Sequence, residues 1–326
     1  MARFALLGAA GFVAPRHMKA IRDLGHELVA ACDPHDSVGI LDEFFPDAAF
    51  FTSAGWFESH LRILRRQGRP VDFVSICTPN HLHAAHVELA LRSGAHAICE
   101  KPLVVQPDHL GEFLPVLEDT YDRRVYTVLQ LRHLPSLQQL RERLRGRPLT
   151  TELDIVYVTP RGAWYDASWK SAEQSGGLAM NLGIHLFDLM TWLFGPVRAV
   201  SVTLRDVERS AVTGQRVLRA IAGDVYLGEP GAGGHVRFHL STRPADLPPS
   251  HQSPRRPYRA VRTAEGALEL DGFGELHTEV YRAVARGAGV GIDEARPAIE
   301  LVQAIGEAPL YGDGALGSFW REELRR

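Results

Sequence analysis

The chain has 326 residues, 45% of them hydrophobic, and a formal net charge of −3, a length that fits two domains with apolar content enough to bury both cores. The near-neutral balance, with no basic tail or arginine-rich patch, excludes a general attraction to nucleic acid or to an anionic membrane, so anion binding has to be arranged locally. With neither an apolar run of transmembrane length nor a signal peptide, the expectation is a cytoplasmic protein.

Cys32, Cys77 and Cys99 are an odd set without C-x-x-C spacing, which argues for buried, reduced thiols and against a disulfide framework or a zinc site. Of the 36 basic residues only Lys19, Lys101 and Lys170 are lysines and the other 33 are arginines. The few lysines therefore gain weight for work that requires a group able to lose its proton.

Phe4–Leu7 reads as a buried strand, followed by Gly8-Ala9-Ala10-Gly11, a helix over Val13–Leu24 and a strand over Leu28–Cys32 that ends at Asp33. Strand, glycine turn, helix, strand, acid is the order of a dinucleotide-binding unit. The G-x-G-x-x-G fingerprint is incomplete, because Ala10 and Val13 stand where its second and third glycines would. Gly8 and Gly11 still allow a tight turn that brings the main chain of Ala10, Gly11, Phe12 and Val13 to a pyrophosphate at the positive end of the helix. Asp33, 25 residues after Gly8, is placed to accept the ribose hydroxyls of an adenosine and to repel a 2′-phosphate, which favours NAD over NADP.

A helix over Ser37–Phe45, a strand at Ala49–Phe51 and a helix over Trp56–Gln67 lead into the most informative stretch, Val71–Leu103. It reads as a buried strand (Asp72–Cys77), a turn at Thr78-Pro79-Asn80, a helix (Leu82–Arg92) and a second buried strand (Ala95–Cys99) running into Glu100-Lys101-Pro102. In open α/β sheets ligands collect beyond the carboxyl ends of the strands, so Lys101 is aimed at a ligand. Thr78, Asn80, His83 and Glu100 fall on the same side and join the cofactor set, together with Gln130. His81-x-His83 has no carboxylate or cysteine cluster beside it and reads as a helix start or cofactor contact; no metal is expected. A helix over Pro107–Tyr121 and a strand over Val125–Gln130 complete a six-strand doubly wound parallel sheet, giving a dinucleotide-binding domain over 1–131.

The rest, 132–326, is expected to form an α+β domain for substrate binding, to which the family resemblance described below adds oligomerisation. After a helix (Ser136–Arg145), seven strands are expected at Thr150–Tyr157, Val197–Arg205, Val217–Ala222, Asp224–Gly228, His235–Leu240, Tyr258–Thr263 and Ala267–Leu270, in one largely antiparallel sheet. Helices over Glu275–Ala285 and Glu294–Ala308 close the chain, and Gly228–Gly234 and Arg243–Pro257 read as mobile surface excursions. Between the first two strands lie Arg161, Trp164, Tyr165, Trp169 and Lys170, a local anion trap with aromatic faces for a sugar or base. Asn181, His185 and Asp188, spaced i, i+4, i+7, share one face of the following helix.

The Rossmann unit, Glu100-Lys101-Pro102 and the later Gly183-Ile184-His185-Leu186-Phe187-Asp188-Leu189 together resemble the Gfo/Idh/MocA oxidoreductase family over essentially the whole chain. The resemblance implies an NAD(P)-binding domain joined to an antiparallel substrate domain, and oxidation or reduction of sugars, inositols and related polyols. Ala9–His17, Val158–Lys170 and Asn181–Asp188 are most similar to the subgroup that oxidises C3 of UDP-N-acetyl-2-amino-2-deoxy-D-glucuronate for surface polysaccharide. Asn181 stands where many members carry aspartate, as in that subgroup, and an amide does not stabilise an imidazolium as a carboxylate would. The resemblance implies Lys101 and His185 as catalytic residues, with the identity of the base open between them, and Arg161, Trp164, Tyr165, Trp169, Lys170 and Asn181 as substrate contacts. It leaves two fates for the reduced cofactor, release or reoxidation in place by 2-oxoglutarate, and implies a homodimer or homotetramer. The competing expectations are a dehydrogenase of a free sugar or inositol and, from another class, a non-catalytic sugar-sensing regulator of the same fold.

Overall fold

Strands without a polar face have to be covered on both sides, and the first part of the chain meets that need by alternating strand with helix. The computed structural model describes residues 1–144, 152–171, 173–229, 232–264, 266–270, 272 and 275–311. The strands β1 (Arg3–Leu7), β2 (Glu27–Cys32), β3 (Ala49–Phe51), β4 (Phe73–Ile76), β5 (His96–Cys99) and β6 (Val125–Thr127) form a parallel sheet in the order β3-β2-β1-β4-β5-β6. Between them run α1 (Ala14–Asp23), α2 (Ile40–Phe44), α3 (Ala54–Arg66), α4 (His83–Arg92) and α5 (Phe113–Tyr121). The strand order reverses between β1 and β4, the switch point at which neighbouring loops part and leave a crevice for a ligand.

Two compact units share the chain, Met1–His133 with Gly274–Arg296 and Leu134–Phe273 with Pro297–Arg326. The expected single division after residue 131 is thus corrected at the far end, where α8 (His277–Ala285) returns to the first unit. The cause is apolar burial: Val280, Tyr281 and Val284 of α8 lie in one core with Phe4, Met18, Ile21 and Ile98. Beyond α8, the Val290 carbonyl accepts the Thr127 N–H at 2.8 Å, so the returning segment also covers the outer edge of β6.

In the second unit α6 (Pro135–Leu144) precedes β7 (Glu152–Val158); the expected helix end at Arg145 and strand start at Thr150 lie outside the described residues. With α7 (Ile184–Phe194) packed in between, β8 (Val197–Arg209), β9 (Arg216–Glu229), β10 (Ala232–Ser241), β11 (Tyr258–Thr263) and β12 (Gly266–Glu269) complete a sheet in the order β12-β11-β7-β10-β9-β8. All its pairings are antiparallel except that of β7 with β10. The last helix, α9 (Ile292–Glu307), begins in the first unit and ends in the second.

Two expectations fail here for physical reasons. The strands expected at Val217–Ala222 and Asp224–Gly228 are one, because Gly223 does not break β9: a Cβ there would run into the Ser201 carbonyl oxygen of β8, so the glycine admits a close backbone approach inside the sheet. The Arg243–Pro257 stretch is not a loose excursion, since Leu247 is buried with Val156, Leu204 and Tyr258, and Ser241 Oγ donates to Asp246 at 2.5 Å. The three cysteines are free and buried, and no described helix is long and apolar enough to cross a membrane.

Candidate active site

At the switch point β1 runs directly into the glycine turn. Gly8 has φ +88°, and a Cβ on it would lie 2.7 Å from the Cys77 carbonyl carbon and oxygen, so only glycine lets the turn pass this close to the end of β4. The Gly8 N–H donates to Cys32 O (2.8 Å) and the Gly11 N–H to Gly8 O (3.0 Å). The Ala10 N–H, expected at the pyrophosphate, instead donates to Asp33 Oδ2 at 3.0 Å, and the His35 N–H donates to Asp33 Oδ1 at 2.9 Å. A buried carboxylate needs such donors, and Asp33 thereby ties the glycine turn to the end of β2. Carboxylate oxygens offer about four acceptor positions, so two remain for a ribose diol. α1 follows with Val13 as N-cap and Pro15 in its first turn, and no side chain caps its N-terminus. Phe12 is 78% exposed, with the Arg16 guanidinium 5.3 Å from its ring centre. On the facing loop Thr78 Oγ1 lies 2.9 Å from His86 Nδ1, and Asn80 is buried at the start of a short 3₁₀ turn. Gln130 Oε1 is buried without a hydrogen-bond partner among the described residues. A glycine cradle that a Cβ would fill, an acid with spare acceptor capacity and an orphaned amide oxygen fit a dinucleotide.

The Glu100-Lys101-Pro102 corner is held from both sides, and this changes the roles expected for two residues. His83 is fully buried, its Nδ1 2.6 Å from Pro102 O and its Nε2 2.9 Å from Thr78 O, so the neutral ring donates to one of these carbonyls and lies against the other, facing the main chain with both nitrogens. Burial lowers its pKa, against the pull of the two carbonyls. Glu100 is likewise buried: Oε1 lies 3.1 Å from His17 Nε2 and 3.1 Å from His277 Nε2, while Oε2 accepts the Lys101 N–H at 3.1 Å. Although burial opposes it, hydrogen bonding from the two histidines holds the carboxyl well below the usual carboxylate range. Neither residue had been expected to act inside the protein, because sequence position alone places them on the cofactor side of the sheet.

His86 also carries a consequence for stability. Burial, with the neighbouring His83 and His81, lowers its pKa to about 4. A depressed folded-state pKa means that the unfolded chain binds the proton more readily, so this contribution is intact above the ordinary histidine value and is lost as pH falls toward 4. The loss amounts to about 2 kcal/mol by pH ~5, and the buried His17 shifts in the same direction. The melting temperature is therefore expected to drop by roughly 4–8 °C between pH ~7 and ~5, with His86→Gln flattening part of the slope. A Tm unchanged over that range would contradict the assignment.

In the second unit the segment after β7 forms the expected cluster of cations and rings. Arg161 Cζ lies 5.8 Å from the Tyr165 ring centre, and Lys170 Nζ lies 5.6 Å and 5.8 Å from the rings of Trp164 and Trp169. Burial, and then the charge of Arg161, lowers the Lys170 pKa, so two cations stand close together in a partly dehydrated place that favours an anion. Trp164 is 56% exposed and offers a stacking face, whereas Tyr165 is 2% exposed and packs edge-on against Trp164. The loop is pinned by Asp166, which accepts two 2.6 Å bonds from Arg219 of β9 and a third from Ser210. That clamp escaped the sequence reading because β9 enters only through the fold.

Gly176 and Gly177 both have positive φ, 78° and 73°, and turn the chain into a π-helical turn at Ala179–Gly183 that leads into α7. The face expected to be purely α-helical thus begins in a wider turn. Asn181, His185 and Asp188 are all buried, and Asn181 Nδ2 donates to Lys170 O at 3.1 Å, linking this turn to the cation loop. Gly183 is glycine because a Cβ would lie 2.6 Å from the Phe187 ring. A cavity of about 360 Å³ in this unit is bordered by Tyr165, Gly177, Arg205 and Arg216, but Arg161, Lys170, Asn181 and His185 are not among its lining residues.

A glycine-turned doubly wound sheet with a lysine at a strand's carboxyl end, and a second unit with clustered cations on the segment after β7 and a buried histidine on α7, fit a dinucleotide-dependent oxidoreductase. Residues 2–126 match the family model of the oxidoreductase NAD-binding Rossmann fold and 138–219 that of the C-terminal alpha/beta domain: the chain belongs to the Gfo/Idh/MocA oxidoreductase family. It is similar to the WlbA (WbpB) dehydrogenase of Thermus thermophilus, solved with NAD and UDP-GlcNAcA, at 45% identity and TM-score 0.86 over 95% of this chain and 96% of that one. A second structure of that dehydrogenase, with NAD and alpha-ketoglutarate, is 44% identical at TM-score 0.86 over 100% and 99% of the two chains. Curated relatives are more distant. The D-glucoside 3-dehydrogenase of Escherichia coli is 28% identical over 56% of this chain and 51% of its own length. The UDP-N-acetylglucosamine 3-dehydrogenase of Acidithiobacillus ferrooxidans is 29% identical over 44% and 41%. The first three curated relatives are matched over 37–54% of their own length.

Proposed function

We propose that this chain oxidises the C3 hydroxyl of UDP-N-acetylglucosaminuronic acid to the 3-keto sugar with NAD, a step in making nucleotide sugars for surface polysaccharide. The observation that carries this reading is the loop from Arg161 to Lys170, where two partly dehydrated cations sit against aromatic rings and are clamped by Asp166 and Arg219. A diphosphate and a uronate carboxylate need such cations; a neutral free sugar does not. The similar Thermus thermophilus dehydrogenase, complexed with UDP-GlcNAcA, supports the same choice.

When bound, NAD would supply the acceptor for the hydride that leaves the carbinol carbon. Gly8, Phe12 and Val13 would hold its pyrophosphate, Asp33 its adenosine ribose, and Thr78, Asn80 and Gln130 its nicotinamide half. Lys101 hydrogen-bonds the reacting oxygen and steadies the alkoxide that develops as the proton leaves. His185 takes that proton, a role worth about 10²–10⁴ in rate. Asn181, whose Nδ2 donates to Lys170 O, ties the start of α7 to the cation loop. A second half-reaction would pass the hydride on to 2-oxoglutarate, a dicarboxylate suited to the same cations, with His185 returning the proton to the resulting 2-hydroxyglutarate oxygen. The similar structure solved with alpha-ketoglutarate supports this recycling.

The test is the near-ultraviolet spectrum of the purified protein. Reduced-nicotinamide absorbance should rise on adding UDP-N-acetylglucosaminuronic acid and vanish on adding 2-oxoglutarate. If nothing rises even with excess NAD, while a free sugar or inositol is turned over, the nucleotide-sugar assignment falls.

A further inference from the structure

Two helices, a strand and the turn after β5 of the first unit send polar side chains into one buried place that the reaction above does not use. Ser75 Oγ on β4 lies 2.5 Å from the Tyr281 hydroxyl on α8, which lies 2.7 Å from His17 Nδ1 on α1. His17 Nε2 and His277 Nε2 each lie 3.1 Å from the same oxygen of Glu100, whose other oxygen accepts the Lys101 N–H. Ser75, His17, His277, Glu100 and Tyr281 are all buried, and burying five polar side chains is costly unless each is bonded.

The hydrogens can be counted. A carboxylate at Glu100 only accepts, so both histidines donate through Nε2. A neutral His17 then accepts at Nδ1 from the Tyr281 hydroxyl, which in turn accepts from Ser75. Every bond in the chain from Ser75 to Glu100 is satisfied with one buried negative charge at Glu100 and a neutral His17. The three ligand-type atoms of His17, Glu100 and His277 lie within 4.8 Å of one another, as a metal would need, but the hydrogen bonds already account for them.

We propose that His17 and His277 are positioning residues for Lys101: by fixing Glu100 as a carboxylate with a single orientation, they hold the Lys101 main chain in place. This rests on the reading of Lys101 as a catalytic residue. The groups facing the carboxylate are His17 on α1, His277 and Tyr281 on α8, Cys77 after β4, Cys99 on β5, His83 on α4 and the Lys101 main-chain N–H.

The test uses the full chain. His277→Leu keeps the bulk but removes one donor to Glu100, and should lower kcat by roughly ten- to hundredfold with KM for NAD and sugar little changed. His277→Gln, which keeps an N–H donor, should recover most of it; equal losses in both variants would mean packing alone and would overturn the proposal. A chain with only three lysines also allows a direct reading of where the Lys101 side chain sits. With ε-¹³C-lysine labelling and Lys101→Met for assignment, Glu100→Gln should shift the Lys101 ε resonance, because the turn that carries it loses its anchor, while those of Lys19 and Lys170 stay. An unmoved resonance would overturn the proposal, as would a stoichiometric divalent metal whose chelation abolishes turnover. Should Glu100→Gln fail to fold, the pair of His277 variants decides. If Lys101→Met itself turns over normally, the underlying reading of the site falls instead.

Discussion

Lys101→Met is expected to keep NAD bound and to lower kcat by roughly 10³, the scale of removing a preorganised charge from a developing alkoxide. The corner that carries the lysine does not depend on its ammonium group: Glu100 accepts the Lys101 N–H, and His83 grips the Pro102 carbonyl at 2.6 Å. Methionine has nearly the same length and no charge, so the substitution removes the electrostatic contribution with little disturbance of the turn. Single-turnover absorbance separates the effect on chemistry from binding, and titration of NAD checks the cofactor. Near-normal turnover with bound NAD would remove Lys101 from catalysis. The partner experiment is His185→Asn: if the acidic limb of its pH–rate profile matches that of the parent, His185 is not the titrating base.

The second large effect is expected at Gly8. Alanine there would have to adopt φ +88° and place its Cβ 2.7 Å from the Cys77 main chain and 2.9 Å from Thr78 N. Neither neighbour is a flexible side-chain end, so the clash is relieved only by moving β1 away from β4, at the point where the sheet opens for its ligand. The positive φ adds about 1–2 kcal/mol for a residue with a Cβ. Gly8→Ala should therefore weaken NAD binding by at least about a hundredfold and lower the melting temperature. Gly11→Ala is the graded control: its Cβ would lie 3.0 Å from Gly8 O and 3.2 Å from Cys77 O without a positive φ, and its loss should be smaller. Equal NAD affinity in Gly8→Ala and the parent would show that the turn does not cradle the cofactor.

The two faces of the candidate site were legible to different degrees. Lys101, Asp33 and the glycine turn stand out because each follows a short apolar strand, and a parallel sheet puts all such ends on one side. The cation loop stands out by density, and the structure does bring Arg161, Lys170 and the two tryptophans together. Neighbouring Trp164 and Tyr165 part ways, one exposed and the other buried, since a loop has no period from which a face can be read. His83 and Glu100 were placed on the right side of the sheet and given the wrong partners, because a position beside a ligand crevice says nothing about which group satisfies a buried nitrogen or oxygen first.

Sequence alone determined the local patterns: apolar strands alternating with helices, the glycine turn, the acid at the end of β2 and the lysine after β5, all set by periodicity and backbone sterics within some thirty residues or so. The tertiary structure decided what lies behind that lysine. His17 and Tyr281 are 264 positions apart, and Glu100 and His277 are 177 apart. The only local trace was His277 and Tyr281 four residues apart on the inner face of α8, a spacing that core helices show for many reasons. Only when α8 buries its apolar face in the core of the first unit are those polar groups carried out of water, where the cost of leaving them unpaired makes them find one another.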